Sequence, residues 1–377
     1  MDKKIFIAIG IAAAAIAALA FSSNISSSNL FPITQQDTLS AIPTNDKLGL
    51  VVNTPTQQVT IDKIKQVYSK AKEPGAGRTN HYMFWNHIEP EQEKYNFKET
   101  DILMTLNKNN NMQVTLYFSI INGRTIGPYP DWMGTPGFGT SLERKSATTI
   151  DAVVSRYDGV IDSVIIGAEL DSYFDDAEGS VDLYKESFQN IYHTIKQKHP
   201  DLKIGNAFSL NNVLNKNLTG YVTEFAETGD FVAFTYLPVD RINDITKTPA
   251  QAQADLQKAL DLVPNNKVAF FEVGWSTAQN IGGSESGQEE FIKLAYDFYR
   301  QNESKIEFFN WYRIYDRPDG SCVIDQKFDE ESRVSLTNND EFVRQRLGDY
   351  VCNAGLLKTD DSAKPGWAEL KKQIQSS

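Results

Sequence analysis

Short, nearly continuous apolar runs alternate with amphipathic stretches from residue 48 onward. The runs fall at 48–53, 78–85, 112–121, 163–170, 202–209, 231–238, 267–276 and 306–315, and they are rich in β-branched and aromatic residues. Apolar runs with little polar alternation are what parallel strands covered on both faces require. Helical patterns lie between them at 61–72, 99–107, 147–157, 181–198, 218–227, 250–262 and 287–301, and 342–347 and 368–374 are available to close the last unit. Thr248-Pro249 places a capping residue and then a proline at one helix start. Eight strand-then-helix units predict an α/β fold: a single-domain (β/α)8 TIM barrel, which needs roughly 250 residues plus loops. A doubly wound open sheet is the competing arrangement. It would carry a glycine-rich phosphate loop after its first strand, whereas the segment after Asn53 reads Thr-Pro-Thr-Gln-Gln.

In a barrel the C-terminal ends of the strands form one mouth, so position along a run acquires meaning. The fourth run, Val164-Ile165-Ile166-Gly167-Ala168-Glu169, ends in a carboxylate. So does the seventh, Val268-Ala269-Phe270-Phe271-Glu272. Hydrolysis of a glycosidic bond needs such a pair: one acid to protonate the leaving oxygen, and a second carboxylate across the sugar. At about 5–5.5 Å the second group attacks directly and configuration is retained; at about 6.5–9.5 Å a water fits between them and configuration inverts. Trp85, Trp132, Trp275 and Trp311 fall at or just beyond predicted strand ends. There an aromatic face can meet the apolar face of a pyranose, although tryptophan serves core packing equally well. Asp171, two residues past Glu169, is a candidate to tune it or to bind sugar. Glu89 and Glu91 read as parts of a solvated loop.

Composition narrows the partner. Hydrophobic residues at 41% and aromatic residues at 11% supply a sizeable core. A formal net charge of -12 argues against nucleic acid, whose phosphates need a basic surface, and offers nothing to an anionic membrane. An oligo- or polysaccharide is compatible with it. His81, His87, His193 and His199 show no metal-ligand spacing, so neither a metal nor another cofactor is expected.

Lys3 and Lys4 precede an apolar run from Ile5 to Phe21, and Ala18-Leu19-Ala20 fits a small-x-small cleavage site. Residues 1–21 are therefore expected to be a signal peptide or an N-terminal membrane anchor. The run reaches only ~25 Å against a bilayer core of roughly 30 Å, which favours cleavage. Residues 22–46 read as a flexible Ser/Asn/Thr-rich linker and 47–377 as the catalytic barrel. The expected product is a secreted or extracytoplasmic monomer that meets a membrane only through an uncleaved anchor. In that compartment Cys322 and Cys352, the two cysteines of the chain, are expected to form one disulfide, the alternative being two buried thiols.

The strand-end segments resemble those of the retaining clan-A glycoside hydrolases, with endo-β-mannanases and endo-galactanases nearest. Ile165-Ile166-Gly167-Ala168-Glu169-Leu170-Asp171 is similar to the clan's strand-four motif and Phe270-Phe271-Glu272-Val273-Gly274-Trp275 to its strand-seven motif. Trp85-Asn86-His87-Ile88-Glu89-Pro90-Glu91 resembles the strand-two segment, Phe234-Thr235-Tyr236 the end of strand six, and Phe309-Asn310-Trp311-Tyr312 the end of strand eight. The resemblance implies a (β/α)8 barrel cleaving β-linked glycans by double displacement, with Glu169 as acid/base and Glu272 as nucleophile. It also implies that Trp311 floors the subsite at the scissile bond and that Tyr236 stands beside the nucleophile.

Two departures stand out. Ala168 occupies the position where the clan carries an asparagine that contacts the sugar 2-hydroxyl. Asn80 occupies the place of the strand-two arginine, with Arg78 two residues upstream on the same face; either could orient Glu272 by hydrogen bonding, Arg78 more strongly because it is charged. The chemistry further demands a protonated Glu169, raised by its surroundings, and an ionised Glu272. A glycan-binding barrel without activity and a transglycosylase using the same residues are the other readings open at this point.

Overall fold

Eight parallel strands close on themselves. They are β1 (Asn45–Leu50), β2 (Ala76–Tyr82), β3 (Gln113–Asn122), β4 (Ile161–Ala168), β5 (Lys203–Ser209), β6 (Phe231–Tyr236), β7 (Lys267–Val273) and β8 (Ile306–Trp311). Each neighbours the next in sequence, and β1 pairs with both β2 and β8, which completes the barrel. A two-residue strand, Thr125–Ile126, folds back antiparallel on the end of β3. This computed structural model describes residues 44–56, 59–318, 321–322 and 340–377. The expected signal peptide or anchor lies outside the described residues, as does most of the linker; β1 begins inside the last part of the predicted linker. Among the described residues no helix is long and apolar enough to cross a membrane.

Local chemistry sets the helix boundaries. The helix Ile61–Lys72 is capped by Thr60, whose hydroxyl accepts from the Lys63 amide at 3.2 Å. Pro249–Leu262 starts with a reciprocal capping box between Thr248 and Gln251. Thr140–Arg156 begins earlier than its apolar pattern implied, because its first turns bury only Leu142 before Ser146. At the mouth, two predicted strand ends, Trp85 and Leu170, start short helices instead, Trp85–Ile88 and Leu170–Asp176, and a third short helix, Leu210–Lys216, follows β5 directly.

Strand alternation divides the buried side chains into two sets. One lies between strands and helices and forms the main core. The other fills the barrel: Tyr117, Ile165, Ala168, Ala207, Phe231, Ala233, Ala269, Phe271 and Phe308, with Tyr82 and Phe84 packed on it. Small residues opposite large ones keep this interior filled. At Gly205 a Cβ would lie 2.4 Å from the Phe231 carbonyl oxygen and 2.5 Å from its ring, so that position has no room for a methyl. Cys322 and Cys352 form the expected disulfide, with Cα atoms 5.7 Å apart.

Gly205→Ala is expected to lower stability by about 3 kcal/mol through overpacking. Gly179→Ala, where a Cβ meets nothing within 4 Å, should stay within about 0.5 kcal/mol of the parent. Urea unfolding of the two variants makes the comparison.

Candidate active site

The turn that ends β4 is built around a strained glutamate. Glu169 has φ 53° and ψ 42°, a left-handed conformation that costs a non-glycine residue about 1–2 kcal/mol. It stands at the start of the helix Leu170–Asp176, and its carbonyl accepts from the Ser172 amide at 2.9 Å. Gly167 lets the chain enter this turn, since a Cβ there would lie 2.1 Å from the Tyr184 hydroxyl oxygen. Glu169 is only 6% exposed. Beside it, the Tyr117 hydroxyl donates to Asn122 at 2.9 Å. Burial, and after it the Glu169 charge, push that hydroxyl's pKa up.

β7 reaches the mouth through a change of register. Phe234 lies opposite Phe270 but Thr235 lies opposite Glu272, so β7 carries one extra residue. The bulge lets consecutive residues, Phe271 and Glu272, both turn from the helix layer. Phe271 stacks on Tyr117 with ring centroids 6.0 Å apart. Glu272 is fully buried, and neither carboxyl oxygen has a hydrogen-bond partner among the described residues. Burial therefore raises its pKa well above the ordinary 4.5, against the opposing influence of the Arg313 charge and the Asn80 amide. This setting is the reverse of the charged state that the resemblance demands of Glu272.

Asn80 is part of this site. Its amide nitrogen donates to the Phe271 carbonyl at 2.8 Å and its oxygen accepts from Asn310 at 2.6 Å. Arg78 is not. Its guanidinium binds Asp162 near the start of β4, donates to Thr115 at 2.8 Å and lies 4.5 Å over the Phe308 ring. Two residues along a strand keep the same face but change depth, and Arg78 sits at the end of the barrel away from the mouth. Tyr236 is also drawn elsewhere. It points into the helix layer and donates to Asp255 at 2.7 Å, a carboxylate that also binds Lys247 and Lys258.

The tryptophans divide in the same way. Trp311 and Trp275 both pack on Phe291 of the helix Glu285–Asn302, at 6.0 and 5.3 Å, and are buried in the outer core. Trp85 packs on Phe118 at 5.6 Å and donates to Glu89 at 2.8 Å. Trp132 is half-buried, donates to the Glu89 carbonyl at 2.9 Å, and carries Lys145 over its ring at 4.7 Å. Glu89 is thus a buried hub, not a solvated loop residue: its carboxylate also accepts from Thr149 at 2.6 Å and from the Glu93 amide at 2.8 Å. Glu91 is exposed and pairs with Lys94.

The aromatic wall at the mouth comes from other residues. Tyr82 lies 5.2 Å from Tyr117 and 5.8 Å from Phe271, and Phe84 lies 6.5 Å from Tyr117. Their signal was the every-second-residue spacing Asn80, Tyr82, Phe84 in line with β2. Tyr312 and Arg313, just past β8, were missed as well. Both are fully or almost fully buried, and Arg313 has φ 58°. Among the described residues no group of three or more His, Cys, Asp or Glu side chains is arranged to hold a metal ion.

Asp171 is fully buried and accepts from the Ser209 amide at 2.7 Å and from Asn212 at 2.5 Å. Burial outweighs these donors and lifts its carboxyl from 3.8 to about 6. A raised carboxyl favours the folded state while it is protonated. The contribution is complete below about pH 4, is lost as pH rises to about 6, and amounts to about 3 kcal/mol. Urea midpoints of the wild type should fall relative to those of Asp171→Asn across that interval, and the variant should lack this slope.

No protein-family model and no curated protein matches the chain. Solved structures do. A family 39 glycoside hydrolase from Bacteroides cellulosilyticus WH2 superposes with a TM-score of 0.58 at 15% identity, over 87% of this chain and 63% of that one. A GH5_18 variant from Streptomyces cattleya, in complex with Manb1-4GlcNAc, gives a TM-score of 0.63 at 13% identity, over 88% and 80%. Xylanase 10B from Thermotoga maritima gives 0.58 at 13% identity, over 87% and 94%. The chain therefore shares the eight-stranded (β/α)8 barrel fold of these glycoside hydrolases.

Proposed function

We propose that the protein is an exported retaining glycoside hydrolase acting on β-linked glycans, with Glu169 as acid/base and Glu272 as nucleophile. One observation carries the reading: two buried glutamates at the ends of the fourth and seventh barrel strands, with Tyr117 near Glu169 and stacked on Phe271, the residue before Glu272. Glu169 protonates the glycosidic oxygen as a Glu272 oxygen bonds to the anomeric carbon, and the leaving sugar departs. Glu169, now a carboxylate, takes a proton from water, whose oxygen then displaces Glu272. Tyr82, Phe84 and Tyr117 offer ring faces for a pyranose. Ala168 brings no amide to the 2-hydroxyl, so part of the transition-state binding comes from elsewhere.

The dry setting of Glu272 favours a second reading, a glycan-binding barrel without activity, because a carboxyl that stays neutral is a poor nucleophile. A 2-fluoro activated glycoside separates the two: an enzyme accumulates a covalent adduct on Glu272, and a binder stays unlabelled. Glu169→Gln and Glu272→Gln are each expected to lower kcat on a β-linked polysaccharide by about 10³-fold or more with the thermal midpoint retained. Full activity in either variant sinks the assignment.

The pH profile carries the other mark of this site. The nucleophile must be charged, and burial raises Glu272. Activity should therefore fall away on the acidic side at a pH above the ordinary carboxylate range. An acidic limb of kcat/KM at about 4 or below would contradict the role given to Glu272.

A further inference from the structure

We infer that Arg313 is the positioning residue for Glu272: the buried cation that holds this carboxylate in place and in its charged form. The inference rests on the hydrolase reading for its purpose, but not for its geometry. The ends of β7 and β8 are joined at this point. The Tyr312 amide donates to the Val273 carbonyl at 2.7 Å, and a Cβ on Gly274 would lie 3.0 Å from the Tyr312 Cβ. Arg313 follows immediately, in a left-handed turn that few non-glycine residues adopt. Its guanidinium lies 4.3 Å over the Tyr312 ring, donates to the Tyr312 hydroxyl, and donates to the Val351 carbonyl at 3.2 Å.

That leaves a donor and an acceptor unmatched. The Arg313 Nε is buried without a hydrogen-bond partner, and so are both oxygens of Glu272, among the described residues. A buried guanidinium and a buried carboxyl on joined segments, each with unused hydrogen-bonding capacity, satisfy one another's need for a partner. The Arg313 charge already acts on Glu272 in the favourable direction.

The other groups around Glu272 do not offer this. Tyr312 from the loop and Tyr350 from the helix Glu341–Cys352 are neutral, with hydroxyls pushed upward by burial. Tyr236 on β6 is committed to Asp255, and Asn80 on β2, whose amide favours the charged form of Glu272, is uncharged and is shared with Phe271 and Asn310. Tyr82 on β2 is uncharged. Lys364 is held by Asp316 at 2.8 Å. Arg317 also has a buried Nη1 without a hydrogen-bond partner among the described residues, but it is only partly buried, meets the repulsion of Arg313, and its charge is not one that acts on Glu272.

The test follows the Glu272 carboxyl directly by ¹³C NMR, assigned by its loss in Glu272→Gln, alongside kcat/KM against pH. Arg313→Met is expected to move both the titration and the acidic limb up by about one pH unit or more, with Arg313→Lys returning them to within about half a unit. A folded Arg313→Met protein in which Glu272 titrates as in the wild type overturns the inference. If Arg313→Met unfolds, the double variant with Glu272→Gln decides: recovery of the thermal midpoint supports a coupled pair, and no recovery overturns it. A wild type without glycosidase activity or covalent labelling defeats the hydrolase reading, while the titration still judges Arg313.

Discussion

A closed barrel turns alternate side chains of every strand into an interior without water, and that constraint governs this protein. It obliges the lumen to be filled by small and aromatic residues and leaves glycine where strands and rings crowd. A charged group can enter only where the alternation is interrupted or a partner is built for it. Both devices occur here. Arg78 enters the lumen with Asp162, Thr115 and the Phe308 ring around it. Glu272 enters through the bulge on β7.

The two glutamates are held by different means. Glu169 is positioned by backbone strain, in a left-handed turn locked between β4 and a short helix. Such conformations persist only where the surroundings over-determine them, and they gather at functional sites. Glu272 is positioned by a register shift and surrounded by a dry wall, with a buried arginine on the adjoining loop. Desolvation then sets the electrostatics of the mouth: it raises Glu272, Asp171 and the neighbouring tyrosines together.

Position along the apolar runs was a good guide to depth, and a poor guide to direction. All eight strands and the ends carrying Glu169 and Glu272 were legible, because a strand buried on both faces leaves a strong compositional trace. The residues assigned to sugar contact fared differently. Tyr236, Trp275 and Trp311 lie at the expected height yet point into the helix layer, where Asp255 and Phe291 receive them. The inward positions beside them, Asn310 and Thr235, are small and polar. Arg78 faces inward as expected but at the wrong level, since two residues along a strand is a displacement of about 7 Å.

The sequence by itself determined the barrel, the order of its units and the two strand ends that bring carboxylates to the mouth. These follow from periodicity, strand count and the rule that parallel crossovers put all C-terminal ends on one side. Only the tertiary structure decided which aromatic residues line the mouth, where each arginine lies, and which carboxyl is driven toward its neutral form. A one-residue bulge, a left-handed turn and the loss of water around Glu272 made those choices. Each arises from contacts between strands distant in sequence, and none leaves a periodic mark in the chain.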